Sequence, residues 1–334
     1  MREEQPILSM CIPTYNRAND LNHNLTLIES YLEKAGLFDK VCLVISNNCS
    51  TDETDVVIKH YEDEGKICIH YYKQEHNIGA GPNQVYAVEK ASTPWVMLLG
   101  DDDYLEPWYI EECLKQIEEH PNLGCIIPNY MDYFPATNEY GKLREEDCMT
   151  EYYKAGFDAC LKNIWRTHQL SGLCFRRANV VEEYQNRKMD NLYPQMFFVG
   201  YNSLKYDVLH FGEKCLMVSK ISQNQKDWNY GEDGLVNDIF ENFINLNLSY
   251  KQKSYLEFDF LNHSPRYIWA TNNTNLAIEK ILSGSNTTFL GRYYIAHRIL
   301  QENIYSGRKL RFCFYLIARF VLLRKLFSGK SISL

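Results

Sequence analysis

An apolar run that ends in three consecutive acidic residues is the feature that most constrains the fold of this chain. Residues 95–99 read WVMLL, and Gly100 separates them from the aspartates at 101–103. A short apolar run bounded by Pro94 and Gly100 predicts a buried strand. The carboxyl end of that strand presents three carboxylates at the edge of a sheet, where they repel one another unless a positive group joins them.

Two interpretations of these aspartates are open. Carboxylate oxygens favour Mg²⁺ or Mn²⁺, ions that commonly bridge a protein to the phosphates of a substrate. The simpler alternative is a solvated acidic turn before a helix that is predicted to begin at Pro107. The segments upstream favour the first interpretation.

Buried strands and amphipathic helices alternate along the first half of the chain. Besides residues 95–99, strands are predicted at 7–13, 41–46, 66–73 and 125–128, and helices at 20–35, 50–64, 83–91 and 107–119. The second helix is predicted to begin at a capping box formed by Ser50 and Glu53. This alternation on short loops predicts an α/β fold with a mostly parallel sheet and helices on both faces.

Polar loops follow three of these strands, at residues 13–17 (PTYNR), 47–52 (NNCSTD) and 101–103 (DDD). A glycine-rich loop, residues 77–83 (NIGAGPN), lies between the third and fourth strands. Ligands of such sheets bind at the carboxyl ends of the strands. The loops therefore predict one cleft that offers carboxylates, amides and a cation.

Composition narrows the class of protein. Of 334 residues, 45% are hydrophobic, which allows a sizeable core, and the net charge of −8 argues against broad nucleic-acid binding. The eleven cysteines are odd in number and never form a CxxC pair, which indicates reduced cytosolic thiols instead of a disulfide framework or a zinc site. The apolar run at 7–13 is too short for a signal peptide or a spanning helix, so we expect a cytoplasmic protein.

In order and spacing, these motifs resemble the family 2 glycosyltransferases of the GT-A fold, the nucleotide-sugar enzymes of polysaccharide assembly. The resemblance covers residues 5–130 and is carried by residues 12–17, 46–52, 77–83 and 98–107. It implies inverting transfer of a sugar to a hydroxyl of a glycan or lipid-linked oligosaccharide in bacterial surface-polysaccharide (O-antigen or capsule) synthesis.

The resemblance also implies a domain organisation. A GT-A catalytic domain is expected at residues 1–215, with a nucleotide-sugar-binding half at 1–130 and an acceptor-side half at 131–215. Residues 216–334 are predicted to form a mainly helical C-terminal region.

By position, the resemblance implies donor contacts from several loops. The implied nucleotide-sugar-binding residues are Pro13, Thr14, Tyr15, Arg17, Asn47, Asn48, Asn77, Gly79, Asn83 and Asp101. In this family an aspartate usually meets the base at the second loop, where Asn47 and Asn48 stand here. Because an amide both donates and accepts, base contact is retained, and UDP-, CDP- and dTDP-sugars are all candidate donors.

A divalent ion, Mn²⁺ or Mg²⁺, is implied at Asp102 and Asp103. The family's motif is Asp-x-Asp, so three aspartates in a row leave two registers open. The ion stabilises the departing diphosphate as a Lewis acid, and a carboxylate removes the proton of the acceptor hydroxyl.

Three carboxylates in the second half are candidates for that general base. Asp190 lies in the sequence KMDNLYP, in an order that resembles the acceptor side of related sugar transferases. Glu232 and Asp233 resemble the Glu-Asp pair of many family members. Asp190 is preferred because the chain after residue 215 is predicted to be a helical appendage.

Two other functions remain open from the sequence. A sugar nucleotidyltransferase also places carboxylates and a metal at the end of a parallel sheet, but residues 13–17 lack the glycines that its first loop normally carries. A non-catalytic nucleotide-sugar-binding scaffold is the alternative from another class.

A basic, apolar segment at residues 308–327 predicts an amphipathic helix. A spanning helix is disfavoured, because a mid-bilayer arginine such as Arg319 costs about 2.5 kcal/mol or more. Lying in the membrane interface, with cations towards anionic headgroups, suits this pattern better. The alternative is a terminal helix packed on the catalytic domain.

If the segment holds the protein at the inner face of the cell membrane, a chain that ends at residue 305 should shift from the pelleted membranes to the supernatant. A chain that ends at residue 328 keeps the segment and serves as the control. Equal pelleting of the two truncated chains would contradict the membrane contact.

Overall fold

The computed structural model describes residues 5–220, 236–263, 286–288 and 290–291. The chain divides into two compact units, Met1–Lys226 and Asp227–Leu334.

The first unit is built on a ten-stranded sheet. Its strands are β1 (Leu8–Thr14), β2 (Val41–Asn47), β3 (Cys68–Lys73), β4 (Trp95–Leu98), β5 (Tyr104–Leu105), β6 (Leu123–Phe134), β7 (Glu139–Leu143), β8 (Glu151–Tyr153), β9 (Cys174–Arg176) and β10 (Asp207–Ser219). Its helices are α1 (Ala18–Ala35), α2 (Thr54–Glu64), α3 (Ala80–Lys90), α4 (Tyr109–Glu119), α5 (Phe157–Asn163), α6 (Val180–Asn186) and α7 (Pro194–Ser203), with a 3-10 helix at Ile164–His168. Each strand and helix predicted for the first half is present within a few residues.

The strand order is β3-β2-β1-β4-β9-β6-β10-β5, with β7 beside β6 and β8 beside β10. The first four strands of this order are parallel, as are β6 and β10. Most of the paired residues lie in these parallel pairs, which confirms the predicted mostly parallel sheet, although five shorter pairs are antiparallel. The antiparallel β9, between β4 and β6, was not predicted, because three residues carry no readable period. Its direction places the residues that precede β9 beside the carboxyl end of β4.

Helix α1 shows why the apolar spacing of the sequence is a dependable signal. Leu21, Leu25, Ile28 and Leu32 recur at helical spacing, and all four are buried in the core against β1 and β2. Gly36 ends the helix in the left-handed conformation, with φ of 66°, as predicted.

The start of α2 differs from the prediction, and the capping box is wrong. The Ser50 hydroxyl accepts a hydrogen bond from the backbone N–H of Asn16 at 2.9 Å, and Glu53 makes no side-chain cap bond. Asp52 caps instead, accepting from the N–H of Thr54 at 3.2 Å and from that of Ala18 at 2.9 Å. One carboxylate thus serves the first turns of both α1 and α2, which local spacing cannot reveal.

The described part of the second unit contains α8 (Val236–Asn245) and α9 (Tyr250–His263). Phe240, Phe243 and Phe260 are fully buried, with a tilted pair 5.7 Å apart between Phe240 and Phe243 and an edge-to-face pair 6.0 Å apart between Phe243 and Phe260. The predicted segment 308–327 lies outside the described residues. None of the helices that the structure describes is long and apolar enough to cross a membrane.

Candidate active site

Two side-chain contacts tie the acidic loop, residues 100–103, to the loop after β1. The Thr14 hydroxyl donates to Asp101 Oδ2 at 2.7 Å, and Arg17 Nη1 donates to Asp102 Oδ2 at 2.7 Å. Parallel pairing of β1 with β4 brings the carboxyl ends of both strands to the same edge of the sheet. Two of the loops that were predicted to share a cleft therefore meet.

The three aspartates of the loop differ in exposure. Asp101 is 8% exposed and Asp103 is 4% exposed. The side chain of Asp102 is 23% exposed, although it also carries the ion pair with Arg17. Asp102 is therefore the aspartate of this loop that a ligand in solvent can reach most easily.

Asp103 is held by hydrogen bonds from the second half of the unit. Its Oδ2 accepts from the Ser171 hydroxyl and from Gln169 Nε2 at 3.1 Å, and its Oδ1 accepts from the backbone N–H of Ser219 at 2.9 Å. Both oxygens are occupied, which leaves this carboxylate little capacity for a metal ion. Ser171, Gln169 and Ser219 were not predicted, because they approach the loop through the antiparallel β9 and the end of β10.

Burial changes the ionisation of the two covered aspartates. Burial first, and then the Asp102 carboxylate, raise the pKa of Asp101 to about 8, against the lowering effect of Arg17. The same two causes raise the pKa of Asp103 to about 7. Near neutral pH the loop therefore keeps protons that free aspartates would have lost, and the repulsion within it falls.

Asn24 of α1 holds the backbone of the acidic loop from beneath. It is 1% exposed, and its Nδ2 donates to the carbonyls of Gly100 at 3.1 Å and Asp103 at 2.9 Å. The sequence did carry a signal for this residue, which was missed. Asn24 stands on the apolar stripe of α1 beside Leu25, where a polar side chain needs a buried partner.

Asn47, which was predicted to contact a base, is fully buried at the end of β2. Its Nδ2 donates to the Tyr71 hydroxyl at 2.8 Å and to Asp55 at 3.1 Å, and its Oδ1 accepts from the Ser50 N–H at 2.8 Å. The amide thus shapes the second loop, and a contact with a base stays a prediction.

Asn48 joins the second loop to the other loops of the cleft. Its backbone N–H donates to the Thr14 carbonyl at 2.9 Å. Its side chain donates to Asn77 at 2.9 Å and to the Gly79 carbonyl at 3.3 Å, and accepts from the Ile78 N–H at 2.8 Å. The loops after β1 and β2 and the glycine-rich loop therefore form one connected edge.

The residues that were predicted to bind the nucleotide-sugar donor fall into two groups. Thr14, Asn47, Asn48, Asn83 and Asp101 are buried and hydrogen-bonded within the protein, with Asn83 bonded to Ser46 at 2.7 and 2.9 Å. Pro13, Tyr15, Arg17, Asn77 and Gly79 keep partial or full access to solvent, as does the predicted metal ligand Asp102. The first group positions the loops, and the second offers the surface that a ligand can touch.

Asp190 lies on a segment that packs against the start of α3. A Cβ added at Gly81 would meet the carbonyl oxygen of Asn191 at 2.1 Å, so the two backbones are in direct contact. Asp190 itself is exposed, and its carboxylate has no partner among the residues that the structure describes. The other two candidates, Glu232 and Asp233, lie outside those residues.

The carboxylate oxygens that are free to bind a metal suit a divalent ion at Asp102 better than at Asp103. Within the described residues, two groups of three ligating side chains bring their donor atoms within 4.8 Å, and neither includes the acidic loop. An ion here would therefore need further oxygens besides Asp102. The oxygens of a diphosphate are of the kind that Mg²⁺ and Mn²⁺ accept.

The sequence of this chain matches a known protein family. The profile of glycosyl transferase family 2 matches residues 9–185, just over half of the chain. A chondroitin synthase of Pasteurella multocida is 34% identical over 122 residues, which are 36% of this chain and 12% of that protein. The abequosyltransferase RfbV of Salmonella typhimurium is 34% identical over 99 residues, 30% of this chain and 29% of that protein. The chain thus spans a minor part of each relative.

Solved structures share the fold over most of the chain. S. aureus TarS 1-349 in complex with UDP-GlcNAc has a TM-score of 0.60 at 16% identity, covering 87% of this chain and 80% of that one. The mannosyltransferase PcManGT of Pyrobaculum calidifontis, in complex with GDP-Man and Mn²⁺, has a TM-score of 0.56 at 13% identity, covering 96% and 88%. The predicted α/β fold of the GT-A type is confirmed.

Gly81→Ala tests the contact between α3 and the segment of Asp190. Helix propensity favours alanine by roughly 0.5–1 kcal/mol. The alanine Cβ would clash with the backbone of Asn191, and this cost exceeds the gain in helix propensity. We therefore expect the free energy of unfolding to fall by about 1–3 kcal/mol. The exposed neighbour Ala80→Gly is the control and should cost no more than about 1 kcal/mol. Denaturant titration measures both, and a more stable Gly81→Ala variant would contradict the packing.

Proposed function

This chain belongs to glycosyl transferase family 2, and we propose that it moves a sugar from a nucleotide-diphosphate donor to a hydroxyl of a glycan or lipid-linked oligosaccharide. One observation carries the proposal. At the carboxyl end of the parallel strands, the half-buried carboxylate of Asp102 lies 2.7 Å from the guanidinium of Arg17. A carboxylate for a divalent ion and a cation for phosphate oxygens are the two groups that a diphosphate needs.

The proposed donor is a UDP-, CDP-, dTDP- or GDP-sugar. Support comes from TarS, solved with UDP-GlcNAc, and from the mannosyltransferase, solved with GDP-Man. Their two different bases leave the base open for this chain. The accessible predicted donor residues of the surrounding loops are Pro13, Tyr15, Arg17, Asn77 and Gly79.

Asp102 is the proposed ligand of the divalent ion, together with the oxygens of the diphosphate. When bound, the ion neutralises the charge of the leaving diphosphate as a Lewis acid. Arg17 contacts the same carboxylate in the free protein, so we propose that it turns towards the phosphates once the donor is in place. A planar guanidinium suits this role because it pairs with phosphate oxygens through two hydrogen bonds.

Asp190 is the proposed general base. Inverting transfer is a single displacement, which requires a carboxylate to take the proton of the attacking hydroxyl. Asp190 is exposed, and its neighbour Asn191 contacts the first turn of α3 directly after the glycine-rich loop. Two observations therefore support this role for Asp190. Its segment contacts the start of α3, and its carboxylate has no partner among the described residues that would compete for the acceptor's proton.

The proposed setting is bacterial surface-polysaccharide synthesis at the cytoplasmic side of the membrane, with residues 308–327 as a peripheral contact. A chondroitin synthase and an abequosyltransferase among the bacterial relatives support a glycan acceptor.

Asp102→Asn should abolish Mn²⁺-dependent donor binding and lower the release of nucleoside diphosphate by about 100-fold or more, because it removes the ion's ligand. A panel of nucleotide sugars, screened by thermal shift with and without Mn²⁺, identifies the donor, and nucleoside diphosphate is then quantified. Asp20→Asn is the matched control, because Asp20 also faces Arg17, at 3.8 Å, and lies outside the acidic loop.

Three other results would contradict the proposal, and each would point to a different function or metal site. Binding without release of nucleoside diphosphate would indicate a scaffold. Formation of a nucleotide sugar from a sugar phosphate and a nucleoside triphosphate would indicate a nucleotidyltransferase. Wild-type rates in Asp102→Asn would place the ion elsewhere.

Asp190→Asn should lower kcat by about 100-fold or more and leave the apparent affinity for the donor nearly unchanged, because a base acts on the acceptor. Glu182→Gln, an exposed carboxylate on the preceding helix α6, is the control. Steady-state kinetics with the identified donor measure both constants. A wild-type kcat in Asp190→Asn, with the loss found in Glu232→Gln or Asp233→Asn, would transfer the role to that pair.

A further inference from the structure

Cys42 lies beside Cys68 and His70 at one edge of the sheet, although it precedes both by more than twenty positions. Cys42 on β2 is the register partner of Cys68 on the terminal strand β3, and His70 follows Cys68 by two residues on the same face of that strand. The two thiol sulfurs and a ring nitrogen of His70 lie within 4.8 Å of one another.

The geometry points to a transition-metal site that the cysteine spacing did not predict, and we propose that Cys42, Cys68 and His70 bind Zn²⁺. Cys68 Sγ lies 3.9 Å from His70 Nε2. Zinc bonds of about 2.3 Å to sulfur and 2.1 Å to nitrogen give a tetrahedral edge of about 3.6 Å. Cys68 and His70 therefore need to close by only a few tenths of an ångström, and the pairs with Cys42 by at most about an ångström. Thiolate and imidazole ligands favour Zn²⁺ over the Mg²⁺ or Mn²⁺ expected at a carboxylate site.

Exposure supports a three-ligand site with one open position. Cys42 is 2% exposed, Cys68 is half-buried and His70 is exposed, so the ion would rest at the surface with water as its fourth ligand. Binding deprotonates both thiols and releases two protons to solvent. Zinc affinity should therefore increase with pH, because both thiols must lose a proton to bind the ion.

This site is separate from the proposed donor cleft. Cys42 precedes Asn47, the last residue of β2, by five positions, which corresponds to about 16 Å along the strand. The ion would link the terminal strand β3 to its paired neighbour β2. A metal that joins these strands would stabilise the folded state, and its distance from Asn47 separates it from sugar transfer.

Cobalt(II) titration of the reduced, metal-free full-length protein tests the proposal. A thiolate-to-cobalt charge-transfer band in the near ultraviolet, with the visible bands of tetrahedral cobalt, should appear and be removed by Zn²⁺. Carboxylate sites give no thiolate band, so Asp102→Asn should leave the signal intact. Cys68→Ser should abolish it without loss of fold, and His70→Ala should weaken binding by at least about tenfold.

Cys148→Ser separates this site from the second described group of ligating side chains, Glu145, Cys148 and His210. It should retain the band. Zinc should also raise the melting temperature of the wild type and of Cys148→Ser, but not of Cys68→Ser. Absence of the band in the wild type, or its loss in Cys148→Ser with retention in Cys68→Ser, would overturn the proposal.

Discussion

Mutual repulsion of three adjacent carboxylates is the constraint around which the first unit is arranged. The acidic loop lies where β4 ends, and its aspartates meet two parts of the unit, the end of β1 and the segment before β9. Thr14 donates to Asp101, Arg17 pairs with Asp102, and Ser171 donates to Asp103. Burial raises the pKa of Asp101 and Asp103, which lowers the negative charge of the loop, and hydrogen bonds and one cation offset the remaining repulsion.

These contacts give the three aspartates different capacities for chemistry. Asp101 and Asp103 are covered and bonded within the protein, whereas Asp102 remains accessible. A polar group that is buried and satisfied holds its neighbours in place, because leaving it unpaired is costly. An accessible carboxylate beside a guanidinium can exchange that partner for a ligand. Asp101 and Asp103 are therefore held in place, whereas Asp102 can exchange its partner for a ligand.

The antiparallel strand β9 couples the two halves of the first unit. Ser171 precedes it and reaches Asp103, and the end of β10 approaches the same carboxylate through Ser219. Gln84 of α3 also donates to Gln195 of α7 at 2.9 Å. The helices that follow the glycine-rich loop and the segment of Asp190 are thus joined by a buried polar contact, which restricts their relative positions because a displacement would leave buried groups unsatisfied.

The local sequence pattern determined much of the secondary structure of this protein and the position of its cleft. Short apolar runs specified the strands, apolar spacing and Gly36 specified α1, and the polar loops at strand ends located the cleft, because burial and backbone conformation act over a few residues. Tertiary structure alone decided which aspartate is accessible, that Asp52 caps two helices, and that Cys42 lies beside Cys68. Those outcomes depend on strand order and register, which bring together residues that the sequence separates by tens of positions, and no local spacing encodes them.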